Sequence, residues 1–178
     1  QEYFNKAQIV DKEGQARPLV AKEEKIVVTG KTPADFVSRG ITPMQSASLL
    51  LILVAGISIY GIRRGKTLWG IDLILFLVAG MAGCILAFLA LFSQHPAVSP
   101  NYILFVFHPF HLFCLPFMLS RVRKREISRY MLVDFVVLTL FIGLWTIIPQ
   151  RIPPAVLPLA LCLLIRSASN LILTYKRK

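Results

Sequence analysis

Five long apolar stretches restrict what this chain can fold into more than any other feature of the sequence. They cover about residues 44–62, 69–92, 102–120, 130–148 and 155–175. Each is close to the ~20 residues that a helix needs to cross the hydrocarbon core of a bilayer. Because 56% of the 178 residues are hydrophobic and the mean hydropathy is +0.65, a soluble enzyme, a disordered tail and a disulfide-stapled mini-protein are excluded. The sequence predicts an all-α membrane protein, a five-helix transmembrane bundle.

The first 43 residues form a charged segment that differs from everything after it. The stretch from Ala7 to Val20, turning at residues 11–14, has the pattern of a β-hairpin. The sequence starts at Gln1, without Met or a signal peptide. We therefore expect residues 1–43 to be the end of an upstream domain. Residues 44–178 then form the transmembrane domain, with a short, partly β extramembrane segment before it.

Local signals mark where the helices begin, approach one another and bend. Thr42 followed by Pro43 is typical of an N-cap and first helical residue. Gly80 and Gly83, in the second stretch, are small enough to let another helix approach closely. Pro109 and Pro116 remove backbone donors from the third stretch, so we expect this helix to be kinked.

Lysine and arginine collect at one end of the predicted bundle. A net charge of +11 would suggest nucleic acid as a partner of a soluble protein, but here the basic residues flank apolar stretches. The clusters are 63–66, 121–129 and 176–178. The positive-inside rule places this end in the cytoplasm, because cytoplasmic loops carry the excess of Lys and Arg. We therefore predict an exported amino terminus, a cytoplasmic carboxy terminus and no nucleic-acid partner.

All three histidines lie in or just after a polar loop at residues 93–102. His108 and His111 can share one face of the third helix, and with His95 from the loop they could hold a metal or move a proton. No HExxH pattern is present and the third helix offers no carboxylate, so we predict no metal ligand. Two readings remain open. These histidines, with Asn101 and Tyr102, line a lipid or substrate site, or they are satisfied by water, backbone carbonyls and headgroups.

A guanidinium is expected near the bilayer midplane. Arg166 lies ten residues before Lys176, which is roughly 15 Å along a helix. An unpaired arginine at that depth costs at least ~2.5–3.5 kcal/mol, so it should face the interior and find a partner. We expect a structural ion pair with Asp72 or Asp134, near the inner ends of helices two and four. Binding of a lipid phosphate is the functional alternative.

Two motifs resemble a known family. Ser-Gln-His-Pro-Ala-Val-Ser-Pro-Asn-Tyr at 93–102 and His-Pro-Phe-His-Leu at 108–112, together with the tail from Gln1 to Val20, resemble the carboxy-terminal part of the Lnb-type proteins of Bacteroidetes. The resemblance implies a lipoprotein N-acyltransferase, which moves an acyl chain from a membrane phospholipid to the amino-terminal amine of a diacylglyceryl-modified bacterial lipoprotein. We expect the protein to lie in the bacterial inner membrane and to need no cofactor.

In that family a periplasmic, papain-like thiol domain precedes five membrane helices and forms the acyl-thioester. No cysteine occurs before the first apolar stretch here, so no catalytic residue is assigned to this chain and the nucleophile is expected upstream. We expect His95, Asn101 and Tyr102 to orient a headgroup or the acceptor. The alternative is a non-enzymatic membrane scaffold or a transporter subunit, for which the kinked third helix leaves room.

Overall fold

The computed structural model describes residues 8–10, 15–18, 40–92 and 100–176. The chain divides into two compact units, residues 1–40 and residues 41–178. In the first unit, strand β1 (Gln8–Val10) pairs antiparallel with β2 (Ala16–Pro18), with Ile9 opposite Arg17. The strand pair expected between Ala7 and Val20 is confirmed, and its turn at 11–14 lies outside the described residues.

The second unit is an all-α membrane bundle, as predicted. Its helices within the described residues are α1 (Pro43–Arg64), α2 (Trp69–Phe92), α3 (Phe110–Phe113), α4 (Leu115–Lys124), α5 (Arg129–Gly143) and α6 (Val156–Tyr175), with a 3₁₀ turn at Tyr102–Phe105. Helix α6 is central, packing on α1 along one side and on α5 along another, while α2 packs on α3 and α4. Large apolar side chains cover the outside of the bundle, as expected where the solvent is lipid.

Helix α1 begins and ends at the signals that the sequence contains. The Thr42 hydroxyl accepts from the Gln45 backbone N–H and the Gln45 side chain accepts from the Thr42 N–H, which is a complete capping box. At the other end Gly65 adopts φ +61°, a left-handed conformation that glycine takes without steric cost. The predicted N-cap is confirmed.

The third predicted stretch, 102–120, is interrupted where a kink was expected, so it is not one continuous helix. It consists of the 3₁₀ turn, the single turn α3, and α4, with a bend of 78° between Tyr102–Phe113 and Leu115–Lys124. Pro109 lacks an N–H and stands at the start of α3, while Pro116 stands in the first turn of α4. Two prolines seven residues apart therefore break the helix rather than bend it.

Three described helices, α1, α2 and α6, are long and apolar enough to cross a membrane, and the bent pair is a fourth if it counts as one span. The remaining predicted span, 130–148, contains α5, which has 15 residues and ends at Gly143. Turns continue from Leu144 to Ile147, before Pro149. The helix is thus shorter than the apolar stretch, because the residues around Gly143 leave helical geometry while remaining apolar.

Two groups of contacts define the ends of the bundle. At the basic end, the Arg125 guanidinium donates to the Gly65 carbonyl and Arg123 lies 4.7 Å over the Trp69 ring. At the opposite end, which we call the loop end, the Tyr102 N–H donates to the Gln150 side chain at 2.7 Å. The chain therefore crosses repeatedly between a basic end and a loop end.

Candidate functional site

A layer of buried polar side chains crosses the interior of the bundle. It consists of Ser58, Asp72, His111, Asp134, Arg166, Ser167 and Asn170, with the half-buried Tyr130 at its edge. Two clusters meet on α6, because Arg166 faces α1 and α2 while Ser167 faces α5. Polar side chains buried inside a membrane bundle cost free energy unless they are paired, and they often mark a functional site. This layer is therefore the candidate site.

The first cluster is centred on Arg166. Its Nε and Nη2 donate to the two carboxylate oxygens of Asp72 at 2.7 and 3.0 Å, and its Nη1 donates to the Ser58 hydroxyl at 3.0 Å. Asn170 donates to the same carboxylate at 3.0 Å. Of the two expected partners the structure selects Asp72, and Asp134 is not part of this pair. Each nitrogen of the guanidinium has a partner inside the protein, which favours the expected structural role over the binding of a lipid phosphate.

The second cluster is centred on His111, which is completely buried. Its Nε2 lies 2.9 Å from the Val106 carbonyl oxygen, which can only accept, so this ring nitrogen carries the proton. Nδ1 is then the acceptor, and the Tyr130 hydroxyl donates to it at 2.5 Å. Since the Val106 carbonyl follows the 3₁₀ turn, the broken segment itself supplies the group that fixes this tautomer.

Asp134 lies beside this histidine. Its Oδ1 is 4.0 Å from His111 Nδ1 and has no hydrogen-bond partner, while its Oδ2 accepts from the Ser167 hydroxyl at 2.6 Å. The side chain is only 1% exposed. A carboxylate oxygen left without a partner at this depth costs free energy, so this oxygen marks the one acidic position of the cluster that is open to a ligand or a proton.

His108 completes the cluster. Its ring stacks on that of His111 with centroids 3.8 Å apart and an interplanar angle of 17°, and its buried Nδ1 has no partner. The segment that carries His108 and His111 packs closely on α2, and only glycine leaves room for it. A Cβ at Gly83 would lie 2.5 Å from the His108 carbonyl carbon, and one at Gly80 would lie 2.6 Å from the Leu112 nitrogen. The close approach predicted for these glycines is confirmed.

The two histidines and Asp134 form a set of possible cation ligands, since one atom from each lies within 4.8 Å of the others. The sequence argued against a metal because helix three carries no carboxylate. The fold supplies one from α5 instead. Chemically, the cluster can bind a cation or hold and move a proton between His111, Tyr130 and Asp134.

Asn101 and Tyr102 lie away from this cluster, at the loop end. The Asn101 side chain caps the 3₁₀ turn by accepting from the Ile103 N–H at 3.2 Å. Gln150 bridges the two residues, accepting from the Tyr102 N–H and donating to the Asn101 side chain at 3.5 Å. The structure therefore separates the predicted lining residues into a deep pair, His108 and His111, and a pair at the loop end.

His95, the remaining predicted lining residue, lies outside the described residues.

Apolar grooves open on the surface toward the loop end. The larger has a volume of about 620 Å³ and is lined by α1, α2 and α6 together with the segment after Tyr102, including Leu50, Val78, Ala82, Phe107 and Leu163. A second groove of about 310 Å³ lies between Tyr102, Phe105 and the apolar face of α5. Both are lined almost entirely by carbon, so they suit an acyl chain rather than a polar ligand.

Four partners of the site were not predicted from the sequence: Ser58, Tyr130, Gln150 and Ser167. One signal was available for Tyr130, because Tyr130 and Asp134 are four residues apart and share a helix face. Ser167 follows Arg166 directly, and polar residues within an apolar helix indicate an interior contact. Nothing in the sequence connected Gln150 to residue 102, since the two are 48 residues apart.

Comparison with known proteins identifies the chain at the level of a family. No curated protein and no solved structure was found to match it. A protein-family model described as the Lnb transmembrane domain matches residues 35–178. These residues include the whole helical unit and therefore both buried clusters and the grooves. The chain belongs to the family of Lnb transmembrane domains.

Proposed function

We propose that this chain is the membrane module of a lipoprotein N-acyltransferase. The enzyme moves an acyl chain from a membrane phospholipid to the amino-terminal amine of a diacylglyceryl-modified lipoprotein, and the thiol nucleophile belongs to a periplasmic domain upstream of this chain. Membership of the Lnb family over residues 35–178 carries this proposal. The phospholipid, the lipoprotein and the upstream catalytic domain are the proposed partners.

The grooves support a role in holding lipid. Both substrates are anchored by acyl chains, so a bundle that captures a chain fixes the height of the reacting carbonyl above the membrane. The larger groove lies toward the loop end, since Ile103 and Phe107 line it just after the Tyr102 turn. An acyl chain there leaves its headgroup near Asn101 and Tyr102, which Gln150 holds in place.

The proposed orientation puts the loop end in the periplasm of a bacterial inner membrane. The described part of the basic end carries Arg63, Arg64, Lys66 and the cluster from Arg121 to Arg129, whereas the described loop end carries only Arg151. This imbalance favours a cytoplasmic basic end. A periplasmic loop end places the groove on the side where the proposed thiol domain acts.

The proposal is tested by filling the larger groove with a bulky side chain. In the full-length protein reconstituted with phospholipid and a diacylglyceryl lipopeptide, Ala82→Trp is expected to reduce acylation about tenfold or more, because the indole occupies the volume of the chain. Acylation is measured as the mass increase of the lipopeptide. The matched control is Met81→Trp, since residue 81 is exposed on the same helix and does not line the groove.

The outcomes separate clearly. Loss of acylation in Ala82→Trp with normal acylation in Met81→Trp supports the proposal. Equal activity of both variants contradicts the assignment of the groove, and a wild-type protein that transfers no acyl chain contradicts the function itself.

A transporter subunit is the second candidate, and the broken helix favours it. Discontinuous helices near buried polar groups are common where transporters bind their substrates. Here the 78° break lies beside the buried His111. Wild-type protein that fails in acylation but moves a lipid or ion across liposomes would select this candidate.

A further inference from the structure

We propose that His108, His111 and Asp134 bind one divalent transition-metal cation, with Zn²⁺ as the best fit. The ligand atoms come from the residues just before α3, from α3 itself and from α5, so a cation here would connect the broken helix to the bundle. This site goes beyond the proposed acyl transfer and does not depend on it.

The ligand set matches the chemistry of zinc. Two imidazole nitrogens and one carboxylate oxygen are a common three-ligand set for Zn²⁺, leaving a fourth position for water or another oxygen. One atom from each of the three residues lies within 4.8 Å of the others. Ligands of a tetrahedral ion with bonds of ~2.0–2.2 Å lie roughly 3.5 Å apart, so the site must close by roughly 1 Å. The His108 ring must also turn out of its stack on His111, because two nearly parallel rings 3.8 Å apart cannot both direct an in-plane lone pair at one ion. His108 is only partly buried and can supply both movements.

Two buried atoms of this set lack any partner. Asp134 Oδ1 and His108 Nδ1 have no hydrogen-bond partner, and Asp134 is 2% exposed. The great majority of buried polar atoms are paired, so two unpaired atoms within one ligand set indicate a missing partner. A divalent ion bound by both residues would satisfy both atoms at once.

The surrounding groups hold the ligands in the form that a metal needs. His111 Nε2 donates to the Val106 carbonyl, which leaves Nδ1 with its lone pair toward the cluster. Asp134 Oδ2 is held by the Ser167 hydroxyl, which leaves Oδ1 free. Metal-binding histidines and carboxylates typically have such second partners, because these fix tautomer and orientation.

The Tyr130 hydroxyl is the present competitor for His111. It donates to Nδ1 at 2.5 Å, so a cation would displace this hydrogen bond. Tyr130→Phe removes the competitor without removing a ligand, and this variant is expected to bind the metal at least as tightly as the wild type.

The test uses the full chain purified in detergent and stripped with a chelator. Zn²⁺ binding is measured by titration calorimetry and by metal analysis after desalting, and Co²⁺ is added to obtain the visible spectrum of a low-coordinate site. We expect one Zn²⁺ per chain and a Co²⁺ spectrum that Zn²⁺ abolishes. His108→Asn and Asp134→Asn should each weaken Zn²⁺ binding by at least about tenfold.

Glu126→Gln is the matched control, because it also replaces a carboxylate with an amide but in an exposed pair with Arg121. It should bind Zn²⁺ as the wild type does. Thermal unfolding without metal shows whether each variant is folded. The proposal is overturned if the wild type retains no Zn²⁺, if both folded ligand variants bind normally, or if Tyr130→Phe loses binding. None of these results depends on acylation.

Discussion

Arg166 and Asp72 form a two-pronged ion pair between α6 and α2, with N–O distances of 2.7 and 3.0 Å and side chains that are 1% and 0% exposed. The pair is 94 residues apart in the chain. Because Ser58 and Asn170 complete its hydrogen bonds, the pair also ties α1 to this layer. It therefore fixes how three spans pack around one point.

Replacing one residue of this ion pair should lower the free energy of unfolding far more than replacing both. Asp72→Leu leaves a buried guanidinium without its counter-ion, and we expect a loss of about 3–5 kcal/mol in the free energy of unfolding. Asp72→Leu combined with Arg166→Met should recover much of the loss. Thermal unfolding in detergent and folded yield measure both, and a double variant no more stable than the single one would refute the explanation.

The glycines of α2 should differ sharply from a glycine of α1. Gly83→Ala places a Cβ against the backbone of His108, so we expect a destabilisation of about 1–3 kcal/mol from overpacking. Gly56, inside α1, has open space around it. Gly56→Ala should be neutral or stabilising by about 0.5–1 kcal/mol. Similar melting temperatures for the two variants would contradict the close approach of α2 and the broken segment.

Gln150 should control the order of the turn at the loop end. Gln150→Leu removes the acceptor of the Tyr102 N–H, and a loss of about 1 kcal/mol corresponds to about fivefold faster hydrogen exchange there. Gln150→Glu keeps the acceptor of the Tyr102 N–H but loses the donation to Asn101, so its protection should lie between those of the wild type and Gln150→Leu. Exchange mass spectrometry of residues 100–106 reports the result, and wild-type protection in both variants would mean that the bridge contributes nothing.

The residues expected to orient a headgroup can be tested by activity. Alanine at His95, Asn101 or Tyr102 in the full-length protein should lower acylation by about tenfold, because the reacting groups lose their position. The amount of protein in the membrane fraction should not change. Normal acylation by all three variants would remove these residues from the proposed site.

The orientation of the bundle gives a further prediction. After Cys84, Cys114 and Cys162 are replaced by Ala, a single cysteine at Arg151 should react with a membrane-impermeant maleimide in intact cells whose outer membrane has been permeabilised. A single cysteine at Lys66 should react only after the inner membrane is opened. The reverse labelling would invert the topology, and equal labelling would show that the two loops share one side.

The sequence by itself determined the class of this protein and the beginnings of its helices. Five apolar stretches sufficed for an all-α membrane bundle, since length and hydropathy are properties of consecutive residues. Three further features could be predicted from nearby residues alone: the capping box at Thr42, the small residues of α2 that face a neighbour, and the position of Arg166 along its helix. Each depends on contacts within a few residues or on distance along one helix.

Tertiary structure decided which polar groups meet. The choice of Asp72 rather than Asp134 for Arg166, the carboxylate that α5 brings to the histidines, and the bridge from Gln150 to Tyr102 all join residues far apart in the chain. Helix periodicity gives the face of one helix but not the rotation or neighbour of another. The two prolines marked where the third stretch is interrupted, but its 78° angle was beyond the sequence, because that angle depends on how the broken segment packs on α2 at Gly80 and Gly83.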